Sequence, residues 1–140
     1  MMSQVYFLEL VYLTLSGMLL LSDSHGVKFP ILLSLRYAFR QMRWYRVLMT
    51  AGGFVLGLLS MFVPYEPGPA LLGDFVVTLT IFPLVVWFFS WSRQLAQRPK
   101  KGATVVDEAA LVIEQNKRLC GKIVFVVAVV HFFVPMIVLL

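Results

Sequence analysis

The sequence predicts an all-α membrane protein with four transmembrane helices, both termini on the exported side, and amphipathic interfacial helices in two cytoplasmic loops. Of its 140 residues, 60% are hydrophobic, and the mean hydropathy is +0.86, whereas a soluble domain is about 45–50% apolar. Four apolar segments are each long enough to cross a bilayer core of about 30 Å. All Lys and Arg residues lie in residues 22–46 and 92–122. We therefore expect one integral membrane domain over residues 1–140.

The first predicted span is residues 4–21, which contain a single charged residue, Glu9. At ~1.5 Å per residue, a helix of this length covers about 27 Å. No Lys or Arg precedes it, whereas a secretory signal peptide begins with a basic region. The segment is therefore interpreted as a retained span with an exported N-terminus.

The first basic loop, residues 22–46, contains a helical pattern that starts at Pro30, a residue favoured in the first turn of a helix. Apolar residues recur on one helical face, and Arg36, Arg40 and Arg43 form a basic stripe on another. A basic amphipathic helix of this kind lies in the membrane interface. The stripe predicts contact with anionic lipid headgroups or, as the alternative, with an acidic partner surface.

The second and third predicted spans are residues 47–63 and 71–91. Gly53 and Gly57 in the second span have the GxxxG spacing, which lets two helices approach closely. The spacing leaves open whether the neighbouring helix belongs to this chain or to a second protein. Pro83, in the middle of the third span, predicts a kink because it removes one backbone donor.

The second basic loop, residues 92–122, is expected to hold an amphipathic helix that starts after Thr104, a candidate N-cap residue. The fourth predicted span, residues 123–140, follows and contains His131. A histidine at that depth is expensive to bury unless it has a polar partner.

The distribution of charge predicts the topology. Five of the twelve Lys and Arg residues lie in residues 22–46 and seven lie in residues 92–122. Short loops rich in Lys and Arg remain on the cytoplasmic side. We therefore expect a multi-pass protein of the inner (cytoplasmic) membrane, with both basic loops in the cytoplasm and both termini outside.

Glu9 and His131 are the intramembrane polar residues most suited to a functional role, as a proton relay or as a cation-coupling site. The alternative is that each makes a structural hydrogen bond to a neighbouring helix. If they face each other, they form an ion pair or a proton relay. A haem with two histidine ligands from this chain is not expected, because His25, the other histidine, lies in a basic loop.

No motif for catalysis, metal binding or nucleotide binding is present in the sequence. We therefore predict neither enzymatic activity nor a resident cofactor or metal, and the basic residues indicate membrane lipids rather than nucleic acid. The leading functional hypothesis is a small non-catalytic subunit or scaffold of a larger membrane complex, in contact with other integral membrane subunits. The alternatives are a small oligomeric proton-coupled or ion-coupled transporter or channel, and a haem-binding or quinone-binding membrane anchor.

Overall fold

The computed structural model describes residues 2–26, 28–62, 75–96 and 105–133. The regular elements in these residues are six helices, α1 (Met2–His25), α2 (Pro30–Gln41), α3 (Arg43–Phe62), α4 (Phe75–Ala96), α5 (Val105–Gln115) and α6 (Lys117–Phe133). Three of them, α1, α3 and α4, are long and apolar enough to span a membrane. The all-helical prediction is therefore confirmed, and three of the predicted apolar segments form helices that could span a membrane. The fourth predicted span, residues 123–140, lies partly outside the described residues.

Two antiparallel helix pairs form the bundle. Helix α1 packs mainly against α6, and α3 packs mainly against α4. Small residues allow the first pair to approach closely, because a Cβ atom added to Gly17 would lie 3.6 Å from the Gly121 carbonyl oxygen. The start of α1 consequently lies beside the end of α6, and the end of α1 lies beside the start of α6.

Helix α2 lies across one end of the bundle, in contact with α1 and α3. As predicted, it begins at Pro30. The predicted helical pattern continues to Tyr45, but α2 ends at Gln41, and Met42 is extended with φ −93° and ψ 109°. The Arg46 guanidinium donates a hydrogen bond to the Arg40 carbonyl oxygen at 2.6 Å, which satisfies an acceptor that the helix end leaves free.

The boundary predicted between the first basic loop and the second span, at residues 46 and 47, falls within a single helix. Helix α3 begins at Arg43, so the basic residues at its start belong to the same helix as the second apolar segment. Periodicity could not place this break, because Met42 fits the apolar face and is neither a glycine nor a proline.

The amphipathic helix predicted after Thr104 corresponds to α5, which is 11 residues long. Thr104 itself lies outside the described residues, and the helix breaks at Asn116, where α5 gives way to α6. The Asn116 side-chain amide donates to the Val112 carbonyl oxygen at 3.0 Å, a local bond that competes with helix continuation. Leu119, three residues beyond this break, is 60% exposed.

An aromatic cluster forms the core where α2 crosses α4. The Phe39 ring stacks on the Trp91 ring with centroids 4.4 Å apart, and it also contacts the Phe88 ring. Such pairs stabilise by about 0.5–1.5 kcal/mol each beyond their buried area. Trp87 is 2% exposed and also belongs to this core. Trp44 is 83% exposed, as an interfacial residue would be.

Candidate functional site

Glu9 and His131 meet inside the bundle. The antiparallel packing of α1 on α6 places the His131 Nε2 atom 3.6 Å from the Glu9 Oε2 atom. Glu9 is 2% exposed and His131 is 6% exposed. Both residues selected from the sequence as intramembrane polar candidates thus belong to one buried site, and we call them the Glu9–His131 pair.

Tyr6 holds the end of α6 beside this pair. Its hydroxyl donates a hydrogen bond to the His131 carbonyl oxygen at 2.5 Å, and its ring lies 4.6 Å from the imidazole, centroid to centroid. Tyr6 precedes Glu9 by three residues, so both side chains project from the same face of α1. The contact fixes the register of the two helices at the height of the pair.

The polar face of α1 continues from Glu9 towards the middle of the bundle. Tyr12 and Ser16 lie three and seven residues after Glu9, which are the spacings of one helical face. Tyr12 is 5% exposed and Ser16 is 0% exposed. Within the described part of the chain, neither hydroxyl meets strict hydrogen-bond geometry, although the two hydroxyls lie close enough to interact with each other. An unsatisfied buried hydroxyl costs about 1–3 kcal/mol, so these atoms are suited to contact with water or with a transported species.

The Glu9–His131 pair is able to hold a proton at either of two positions. A proton on the imidazole gives two opposite charges, and a proton on the carboxyl group gives two neutral groups. Moving it between them changes no net charge, which avoids the high cost of an isolated charge in a medium of low dielectric constant. A buried carboxylate and a histidine in contact are the groups that proton relays in membrane proteins use.

Gly53 and Gly57 pack inside the chain. A Cβ atom added to Gly53 would lie 2.2 Å from the Tyr12 hydroxyl oxygen and 2.8 Å from Val85 Cγ2, and one added to Gly57 would lie 3.3 Å from Ile81 Cγ2. Of the two possibilities left open by the spacing, the structure shows packing against α1 and α4 of the same chain. Gly53 leaves the space into which the Tyr12 hydroxyl projects.

Arg36, Arg40 and Arg43 are not one continuous stripe, because the break at Met42 separates Arg43 from the other two. The Asp23 carboxylate at the end of α1 forms ion pairs with Arg36 and with Lys117, and the pair with Lys117 has a distance of 2.7 Å. Arg36 thus contacts an acidic group of its own chain. Asp23 ties both predicted basic loops to the same end of α1.

Glu114 makes two contacts that the sequence did not predict. Its carboxylate accepts a hydrogen bond from Trp87 Nε1 at 2.9 Å and pairs with Lys117, three residues later. Glu114 consequently connects α4, α5 and α6.

Sequence reasoning missed Tyr6, Tyr12, Ser16 and Asp23. The first three share the helical face of Glu9, and that spacing was available as a signal. Asp23 is the single acidic residue among residues 22–46, which could have identified it as the partner of the loop arginines. Nothing in the sequence links it to Lys117, because that contact depends on the packing of α1 against α6.

Metal and haem binding find little support in the described residues. They contain no group of three or more His, Cys, Asp or Glu side chains that could hold a metal ion. His25 ends α1, and it lies 16 positions after Glu9, which corresponds to about 24 Å along a helix. The two histidines therefore lie at opposite ends of the bundle.

A protein-family model matches residues 2–131, so the chain belongs to that family. The match extends from the start of α1 to His131 and thus includes both members of the Glu9–His131 pair. No curated protein and no solved structure shows significant similarity to the chain.

Proposed function

We propose that this chain, a member of the family matched over residues 2–131, is a small integral membrane protein that moves protons through the Glu9–His131 pair, as a proton-conducting or proton-coupled transporter. The observation that carries the proposal is the 3.6 Å separation between Glu9 Oε2 and His131 Nε2 in a buried site. Of the functions considered from the sequence, this is the one that requires the two residues to meet.

The polar face of α1 supports a path for the proton away from the pair. Hydroxyl groups of Tyr12 and Ser16 follow Glu9 along the buried side of the helix, and both are almost fully enclosed. The distance from Glu9 to Ser16 is about 10 Å along the axis, roughly a third of a bilayer core. Hydroxyls are both donors and acceptors, so they pass a proton without carrying a net charge.

The topology proposed with this function has four spans, with the N-terminus and the C-terminus on the exported side of the cytoplasmic membrane. The contacts of Asp23 with Arg36 and Lys117 support it, because they bring both basic loops to one end of the bundle. The pair then lies in the outer half of the bilayer, where α1 enters and α6 leaves. In this topology, anionic lipid headgroups lie beside the basic end of the bundle.

Proton flux into vesicles tests the function. Purified protein is reconstituted into liposomes that contain a pH-sensitive dye, and a potassium diffusion potential drives protons inward. Wild-type vesicles should acidify faster than empty vesicles, and Glu9→Gln should reduce the rate to that of empty vesicles. Glu108→Gln is the matched control, because Glu108 is exposed in the first turn of α5. Wild-type vesicles that acidify no faster than empty ones would refute the proposal.

A second proposal is that the chain acts as a non-catalytic subunit of a larger membrane complex. It is supported by apolar side chains that the chain leaves uncovered on α5 and at the start of α6, since Val105 is 81%, Val112 61% and Leu119 60% exposed. These residues lie near the cytoplasmic end of the bundle, where another subunit could cover them. The internal packing of Gly53 and Gly57 removes one earlier reason for this proposal.

Purification in a mild detergent from the native membrane separates the two proposals. Recovery of other membrane subunits in stoichiometric amount would support the complex. If the Val112→Ser variant no longer recovered them, the exposed apolar residues of α5 and α6 would be the contact surface. Recovery of this chain alone, with proton flux in vesicles, would favour the transporter.

A further inference from the structure

A polar cavity of about 250 Å³ lies at the basic end of the bundle, among α2, α4, α5 and the start of α6. Its walls carry three cationic side chains, Arg36, Arg40 and Lys117, beside the indole rings of Trp87 and Trp91. The cavity is distinct from the Glu9–His131 pair, which lies at the other end of α1. It is smaller than the roughly 300–1,000 Å³ of sites for drug-sized ligands, so it fits a compact polar group.

The charged groups of the cavity are held in place by contacts within the chain. Arg36 and Lys117 both pair with Asp23 behind the wall. Glu114, the acidic residue in the wall, is already bound to Trp87 Nε1 and to Lys117. The backbone of Arg40 is fixed by the bond from Arg46 to its carbonyl oxygen at 2.6 Å. The side chains of Arg36 and Lys117 are thus held in place before any ligand arrives, which lowers the cost of binding.

Arg40 differs from the other two cations of the wall. Within the described ranges its guanidinium makes no ion pair with a carboxylate, whereas Arg36 and Lys117 both do. The described residues of the two basic segments include nine Lys and Arg residues but only four acidic residues. The potential at this end is therefore positive, and the guanidinium of Arg40 is the group available to bind an anion.

We propose that this cavity binds a phosphate group, with Arg40 as its principal ligand and Arg36 and Lys117 as supporting charges. A guanidinium presents a planar fork of N–H donors that matches two phosphate oxygens, a geometry that an ammonium group lacks. Two sources present this chemistry at a membrane surface: the headgroup of an anionic phospholipid and a small soluble phosphate ester. The proposal is independent of proton transfer at the other end of the bundle.

Tryptophan fluorescence reports on the cavity directly. The chain has three tryptophans, and Trp44→Phe leaves only Trp87 and Trp91, both of which line the cavity. Full-length protein with this substitution, in a neutral detergent, is titrated with short-chain phosphatidylglycerol and, separately, with sn-glycerol 3-phosphate. A saturable change in tryptophan fluorescence with both probes indicates a phosphate-ester site that is open to soluble ligands. Saturation with the lipid alone indicates a headgroup site.

Arg40→Gln and Arg43→Gln provide the matched pair. Both arginines are exposed, but only Arg40 lines the cavity. Arg40→Gln should weaken binding of the effective probe about ten- to hundred-fold, the effect of losing a charged hydrogen bond, and Arg43→Gln should change it less than about threefold. Equal weakening by the two variants, or no saturable binding of either probe, would overturn the proposal. A thermal melt of each variant verifies that the fold is retained.

Discussion

Glu9 and His131 depend on each other at the residue scale, because each would be expensive to bury alone. The cost of an isolated charge in a medium of low dielectric constant far exceeds that of a paired one. Their 3.6 Å contact therefore explains how a bundle of apolar helices tolerates two titratable side chains. The contact contributes to the stability of the fold as well as to the proposed function. Variants of Glu9 and His131 therefore need a measurement of stability and a measurement of activity.

Replacing His131 with leucine should destabilise the protein. The substitution keeps most of the side-chain volume but leaves the Glu9 carboxylate without the imidazole. Removal of one partner of a buried ion pair costs about 3–5 kcal/mol, and we expect a fall of that order in the free energy of unfolding, measured in detergent micelles. Adding Glu9→Gln should recover part of the loss, because no carboxylate then remains to be charged.

Val130→Ala is the control for this measurement, since Val130 adjoins His131 and is 45% exposed on the outside of the bundle. It should change the free energy of unfolding by less than about 1 kcal/mol. If His131→Leu proved no more destabilising than Val130→Ala, the contact would have no energetic role.

Gly53 and Gly52 are adjacent, yet substitution should affect them differently. A Cβ atom on Gly53 would lie 2.2 Å from the Tyr12 hydroxyl oxygen, whereas one on Gly52 would have no neighbour within 4 Å. Gly53→Ala should therefore lower the free energy of unfolding by about 1–3 kcal/mol through overpacking. Gly52→Ala should be neutral or stabilising by up to about 1 kcal/mol, because alanine restricts the unfolded chain. Thermal melts of both variants in one detergent test the contrast, and similar losses for the two would disprove the packing described for Gly53.

At the scale of helices, Asp23 joins three elements at the basic end. Its carboxylate at the end of α1 contacts Arg36 on α2 and Lys117 at the start of α6. The Asp23 side chain is 34% exposed, so solvent screens these pairs in part. The cluster therefore serves chiefly to hold the short helix α2 across the bundle.

Asp23→Asn should weaken this arrangement in a salt-dependent manner. We expect a loss of roughly 0.5–1 kcal/mol in the free energy of unfolding at low ionic strength, the range for partly exposed ion pairs. Most of the loss should disappear in 1 M salt, where the screening length is about 3 Å. Glu108→Gln, on the exposed face of α5, is the control. A loss for Asp23→Asn that does not change between low and high salt would contradict the electrostatic explanation.

The existence of the helices could be predicted from the sequence, but their ends could not. Length and apolar composition identified the spans that α1, α3 and α4 contain. The break at Met42 and the break at Asn116 interrupt patterns that periodicity reads as continuous. Both breaks are stabilised by specific bonds, from Arg46 to the Arg40 carbonyl and from the Asn116 amide to the Val112 carbonyl. Such bonds depend on side-chain direction, which spacing alone does not give.

Glu9 and His131 were each predicted as candidate residues, but the sequence did not predict that they are in contact. Glu9 and His131 stood out because titratable residues are rare within apolar spans. Their contact depends on which helices are neighbours, and 122 residues separate them along the chain. The sequence does not show which helices are neighbours. The small residues Gly17 and Gly121 at the α1–α6 contact are consistent with the packing of these two helices.

At the scale of the whole molecule, the proposed topology predicts the location of the C-terminus. Alkaline phosphatase fused after residue 140 should be active, because that enzyme requires the oxidising exported side. Green fluorescent protein at the same position should remain dark when exported. The control fusion of green fluorescent protein after residue 102, in the second basic loop, should fluoresce. Fluorescence of the C-terminal fusion would contradict both the fourth span and the exported C-terminus.

Proton flux through the two single variants and the double variant is the most direct test of the Glu9–His131 pair. Residues that act as one unit give strongly non-additive effects. Glu9→Gln, His131→Leu and the double variant, each reconstituted at the density of wild type, should therefore all acidify their vesicles at the rate of empty liposomes. Single variants that keep wild-type flux, or losses that multiply from the singles to the double, would contradict the account, since the two residues would then act independently.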